Sequence, residues 1–70
     1  EALEFAVLSD CTIVKTPLKN LNLKPNFIIA GIIRGKETII PTGDDYIDVD
    51  DRVIVIAADS HLYDLSDITK

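Results

Sequence analysis

Phe27-Ile28-Ile29-Ala30-Gly31-Ile32-Ile33-Arg34-Gly35-Lys36-Glu37-Thr38-Ile39-Ile40 reads as a β-hairpin, and the rest of this 70-residue chain is arranged around it. The first arm is apolar and β-branched at consecutive positions, which suits a central strand covered on both faces and marks it as the most buried segment. Arg34 and Glu37 flank Gly35-Lys36, and a glycine at the first central position of a two-residue loop permits the type II′ turn that follows strand twist. Pro41 ends the return arm because it has no N–H to give a ladder, and Gly43 with Asp44 and Asp45 makes the next turn.

Upstream, Leu3, Phe5 and Val7 alternate with polar or small residues, so a first strand is predicted from Leu3 to Leu8, ended by Ser9-Asp10. Thr12-Ile13-Val14 continues as a short extended piece. Thr16 is then a good N-cap and Pro17 fits the first helical position, so one helical turn follows with Leu18 and Leu21 on a shared face. Downstream, Arg52-Val53-Ile54-Val55-Ile56-Ala57 is a second apolar, β-branched strand and belongs in the centre of the sheet too. Asp59 or Ser60 can cap a last segment in which Leu62, Leu65 and Ile68 recur at helical spacing. The expectation is one α+β domain over residues 1–70: a small mixed, mainly antiparallel sheet with a short helical turn and a C-terminal helix.

Composition narrows the function. The net charge of −5 and seven scattered basic residues disfavour a nucleic-acid or anionic-membrane surface, which would need clustered Lys and Arg. Cys11 is the single cysteine, so no intrachain disulfide and no multi-cysteine metal site is available, in keeping with a reducing cytosol. No apolar run reaches the roughly 20 residues of a membrane span, and no basic-then-apolar leader opens the chain, so it is expected to be neither exported nor embedded. It begins Glu1-Ala2-Leu3 without Met and is read as a domain excised from a longer protein.

Catalytic chemistry is not evident. His61 is the sole histidine and has no orienting partner nearby in sequence, while Cys11 has no basic neighbour before Lys15 to lower its thiol pKa. Gly31, Gly35 and Gly43 match neither nucleotide-cradling fingerprint. Asp44, Asp45, Asp48, Asp50 and Asp51 lack the ligand spacing, the mid-loop glycine and the final Glu of an EF-hand, and read as a solvated turn, a weak cation site being the other reading; no metal ligand is assigned. Arg34, with Lys24 upstream and Lys36 in the turn, leaves two readings open: a basic rim that attracts an anion, or solvated strand-end charges.

Taken in order, Pro17-Leu18-Lys19-Asn20-Leu21, Ile28-Ile29-Ala30-Gly31-Ile32-Ile33-Arg34-Gly35, Ile39-Ile40-Pro41-Thr42-Gly43-Asp44 and Asp51-Arg52-Val53-Ile54-Val55-Ile56 resemble a TrkA-C domain, the C-terminal half of the regulator-of-potassium-conductance unit, also called RCK_C. The resemblance implies a homodimerising, ligand-sensing regulatory domain, not an enzyme. It would act on a membrane potassium transporter or channel subunit and sit in the cytoplasm at the inner face of the membrane through that partner. It implies no cofactor in this domain; NAD(H) or an adenine nucleotide would occupy an N-terminal Rossmann domain.

Some members bind cyclic di-AMP at the two-fold interface of paired domains. By position, Leu18 and Leu21 match the apolar patch of that site, Lys24 its basic loop residue and Pro41 its proline, while Ile28 stands where those members carry Asn. With Arg34 these form the candidate ligand-binding set; packing residues of a dimer interface are the other reading. The alternative function is a structural adaptor that assembles a gating ring and binds no ligand.

Overall fold

In the computed structural model, which describes residues 2–58 and 64–69, the β-branched runs form four strands: β1 (Ala2–Ala6), β2 (Phe27–Arg34), β3 (Glu37–Ile39) and β4 (Arg52–Ala57). Their order is β1-β4-β2-β3, and every ladder is antiparallel, so the sheet is not mixed. Both apolar strands, β2 and β4, lie inside the sheet. The hairpin turns at Gly35, whose φ is 61°; Lys36 has no positive φ, which separates a type II′ turn from a type I′ turn.

Register divides the side chains between two faces. Leu3, Phe5, Phe27, Ile29, Ile32, Val53, Val55 and Ala57 share one face, where Val7, Ile13, Leu18, Ile47, Leu65 and Ile68 complete the core. Ile28, Ile33, Ile54 and Ile56 lie on the other, with a register shift between Ile29 and Gly31 along β2. Among the described residues nothing covers that face: Ile28 is 61% and Ile56 42% exposed. The expectation of a hairpin arm buried on both sides is therefore corrected. The described loops all go to the other face, where Val7, Ile13, Leu18 and Ile47 close the core.

Three local readings also change. Residues 12–15 form turns rather than an extended piece, because Ile13 dips into the core at 6% exposure and Lys15, at φ 64°, swings back so that its N–H donates to the Ile47 carbonyl at 2.7 Å. The helical turn is a 3₁₀ turn, Leu18–Asn20, with Pro17 rather than Thr16 in the cap position. No α-helix is found among the described residues, so the α+β expectation reduces to a sheet with 3₁₀ turns. Near the C-terminus the described portion is the single turn Leu65–Ile68. Asp67 Oδ2 accepts the Asp64 N–H at 3.2 Å to start that turn, and Thr69, in extended conformation, bridges to Leu23 and ends it. The expected caps Asp59 and Ser60, with His61 and Leu62, lie outside the described residues. No helix among the described residues is long and apolar enough to cross a membrane.

Candidate functional site

The polar chemistry gathers at the turn end of the hairpin. Arg34 closes β2 there, and Asp51 immediately precedes β4, whose register sets Arg52 opposite Ile33. Arg34 Nε donates to Asp51 Oδ1 at 3.0 Å and Nη2 donates to Oδ2 at 2.8 Å, a two-pronged contact that a guanidinium fork makes well. Nη2 also donates to the Tyr46 carbonyl at 2.9 Å, and the guanidinium carbon lies 4.9 Å from the centre of the Tyr46 ring.

Asp51 is 2% exposed and also accepts the Asp48 N–H at 2.8 Å. Burial alone would push its carboxyl up, but the Arg34 and Asp48 donors outweigh it and hold the group below the ordinary carboxylate value. The hydrogen bond to Asp51 raises the Arg34 guanidinium further above its usual range, so both groups stay charged.

This pairing decides what the acidic stretch does. Asp51 is not part of a solvated turn; it is a buried counter-ion. Asp45 Oδ2 accepts the Thr42 N–H at 2.7 Å, Asp48 Oδ1 accepts the Val49 N–H at 2.8 Å, and Asp44 pairs with Lys19 at 2.8 Å. Asp45 and Asp48 thus serve their own loop and Asp44 ties it to the Leu18–Asn20 turn, and no group of three or more His, Cys, Asp or Glu among the described residues could hold a metal ion.

The candidate ligand residues fall in three places. Leu18 lies in the core at 9% exposure, and Leu21 packs against that core. Ile28 points from the opposite face of the sheet, across from Ile56. Lys24 is half-buried just before β2, its N–H donating to the Ile68 carbonyl at 2.8 Å, whereas Arg34 is the last residue of that eight-residue strand and Lys36 lies in the turn after it, on the order of 25 Å away. Those three cations therefore make no single rim. Pro41 is half-buried after β3, next to the loop that Asp45 caps.

Two features escaped the sequence reading. Tyr46 and Asp51 complete the Arg34 corner through contacts that only the fold brings together. A cavity of about 270 Å³ between the end of β1 and the C-terminal turn is lined by Asp10, Cys11, Thr12, Asp64 and Ser66 among others, and none of the candidate residues reaches it.

With this geometry in view, comparison with known proteins is specific. Residues 2–70 match the TrkA-C domain family model. A Trk system potassium uptake protein TrkA homolog of Pyrococcus abyssi is 38% identical over 69 residues, covering 97% of this chain and 30% of that protein. The corresponding homolog of Archaeoglobus fulgidus is 41% identical over 51 residues, 73% of this chain and 12% of its own length. TrkA homolog 2 of Methanosarcina mazei is 29% identical over 68 residues, 97% of this chain and 15% of its own. The chain thus spans less than a third of each of these relatives. Among solved structures, an RCK domain with cda superposes at a TM-score of 0.71 and 31% identity, covering 83% of this chain and 81% of that one.

Proposed function

This chain belongs to the TrkA-C domain family, and from that premise we propose that it is the cytoplasmic regulatory domain of a potassium-uptake or potassium-channel gating subunit. Two copies pair, and a small ligand binds across or beside the paired surface. Its difference in affinity between gating states then biases the conductance of a membrane partner. The observation that carries this reading is the family match along residues 2–70, joined to relatives named as Trk potassium uptake proteins. A solved RCK domain with cda supports a small ligand, and the resemblance makes cyclic di-AMP the first candidate. In this reading no residue turns over a substrate, and NAD(H) or an adenine nucleotide belongs to a neighbouring Rossmann domain.

One observation favours the adaptor reading. Leu18 is committed to the core and the Arg34 charge to Asp51, so part of the candidate ligand set already has structural work. Calorimetric titration with cyclic di-AMP, other nucleotides and divalent cations separates the two. Saturable heat from one ligand is the expected result. Silence across the panel would leave an adaptor, and a monomer by sedimentation at every concentration from tens to hundreds of micromolar would remove the pairing.

A further inference from the structure

We infer that Gly43 is a positioning residue: standing where no Cβ fits, it locks the Leu18–Asn20 turn against the loop that follows Pro41 and so sets Leu21 and Pro41 relative to each other, an assignment that rests on the ligand reading proposed above. The glycine is there for space and not for backbone freedom. Its φ is not positive, unlike that of Gly35, yet a Cβ at Gly43 would stand 3.1 Å from the Cβ of Lys19 and 3.9 Å from its Cα. Carbons in ordinary contact lie about 3.5–4.0 Å apart, so a side chain at Gly43 forces the two segments apart by a few tenths of an ångström.

Neither segment yields easily. The crowding atom is the first carbon of the Lys19 side chain, fixed to the backbone, so no change of rotamer removes it. The turn is anchored from within, because Leu18 is in the core at 9% exposure. The loop is closed on itself, since Asp45 Oδ2 accepts both the Thr42 N–H at 2.7 Å and the Thr42 hydroxyl at 3.2 Å across the glycine.

Hydrogen bonds make the junction specific. Pro17 gives the 3₁₀ turn no side-chain cap, and the loop supplies one in its place: the Leu18 N–H donates to the Asp45 carbonyl at 2.8 Å and the Lys19 N–H to the Gly43 carbonyl at 2.9 Å. The Lys19–Asp44 ion pair spans the same junction at 2.8 Å but, with side chains 60% and 82% exposed, adds little. The Leu21 N–H donates to the Leu18 carbonyl at 3.1 Å, so a shift of the turn carries Leu21 with it. Leu21 and Pro41 are both half-buried and within reach of a ligand. A displacement of a few tenths of an ångström matters to a rigid ligand that touches both, because binding constellations tolerate misplacement of only about 0.5 Å.

The test is cyclic di-AMP affinity by calorimetry, with backbone amide exchange at Lys19, on the wild type, Gly43→Ala, Lys19→Gly, Lys19→Ala and the two double variants. The expected result is that Gly43→Ala weakens cyclic di-AMP by about tenfold and speeds exchange of the Lys19 N–H. Adding Lys19→Gly restores both, because it removes the crowding carbon. Adding Lys19→Ala restores neither, because it removes the ion pair and keeps that carbon. Unchanged affinity in Gly43→Ala, from a wild type that binds, overturns the positioning role and leaves the ligand reading intact. A wild type that gives no heat overturns both. A loss that the two Lys19 substitutions repair alike, or that neither repairs, overturns the steric lock. If Gly43→Ala fails to fold by circular dichroism, the double variant with Lys19→Gly decides: wild-type affinity there supports the lock, and a fold lost there as well overturns it.

Discussion

Arg34 holds Asp51 with two nitrogens on two oxygens, at 3.0 and 2.8 Å, across a sequence separation of seventeen residues. The contact ties the end of β2 to the residue that opens β4, and through the Tyr46 carbonyl to the loop between them. The partners are unequally buried, with side chains 37% and 2% exposed, and that inequality shapes what a substitution does.

Arg34→Ala is expected to cost more than Asp51→Asn. The first strands a buried carboxylate with the Asp48 N–H as its remaining donor; the second leaves a guanidinium that water can reach. Breaking a buried pair costs roughly 3–5 kcal/mol, and solvent at the Arg34 end reduces this to about 2–3 kcal/mol. Urea unfolding of the two variants checks the order, and equal losses would contradict it.

Acid should weaken the same link. The folded-state pKa of Asp51 is lowered, so its contribution is complete above the ordinary carboxylate value of 3.8 and is lost as pH falls through the lower folded value. Thermal midpoints measured from pH 7 to pH 2 should show the wild type converging on Asp51→Asn below about pH 4. A gap that stays constant through that range would show that Asp51 titrates elsewhere.

Gly35 should resist replacement for a backbone reason alone. A Cβ there meets nothing within 4 Å, but its φ of 61° is costly for any other residue. Gly35→Ala is expected to lose about 1 kcal/mol or more, and Gly35→Asn a similar amount, since the first central position of a type II′ turn lies outside the left-handed helical region that Asn tolerates. Chemical denaturation of both variants reads the two losses.

Ile28 and Ile32 share a strand and a side chain, yet they are 61% and 0% exposed. Ile32→Ala should cost about 2–5 kcal/mol, a large part of what a domain this size holds, while Ile28→Ala in the monomer costs about 0.5 kcal/mol or less. Melting dilute samples of each gives the comparison.

The hairpin, its glycine turn and the two interior strands were legible because they depend on local chemistry: β-branched runs, Gly35-Lys36 and Pro41. The exposure of Ile28 and Ile56 was not, because a strand apolar at every position carries no alternation to tell its covered side from its open one. Asp51 read as one more carboxylate in an acidic turn, since only the antiparallel register of β2 and β4 brings Arg34 to it. The turn at residues 12–15 was hidden by its own apolar content, as Ile13 reaches the core from a bend rather than a strand. Of the candidate ligand residues, sequence could give positions along the chain but not sides of the sheet, which is where Leu18 and Ile28 part.

The strand order has a consequence for the order of assembly. β1 is the first strand of the chain, yet its partner is β4, with Ala2 across from Ile56 and Phe5 across from Val53. The hairpin can close by itself within microseconds, whereas β1 must wait for a distant segment and bear the entropy of a long loop. During synthesis, β1 emerges before the other three strands of this sheet yet finds its place only with the last of them, and until β4 has been made its apolar residues Leu3 and Phe5 have no partner strand in the sheet.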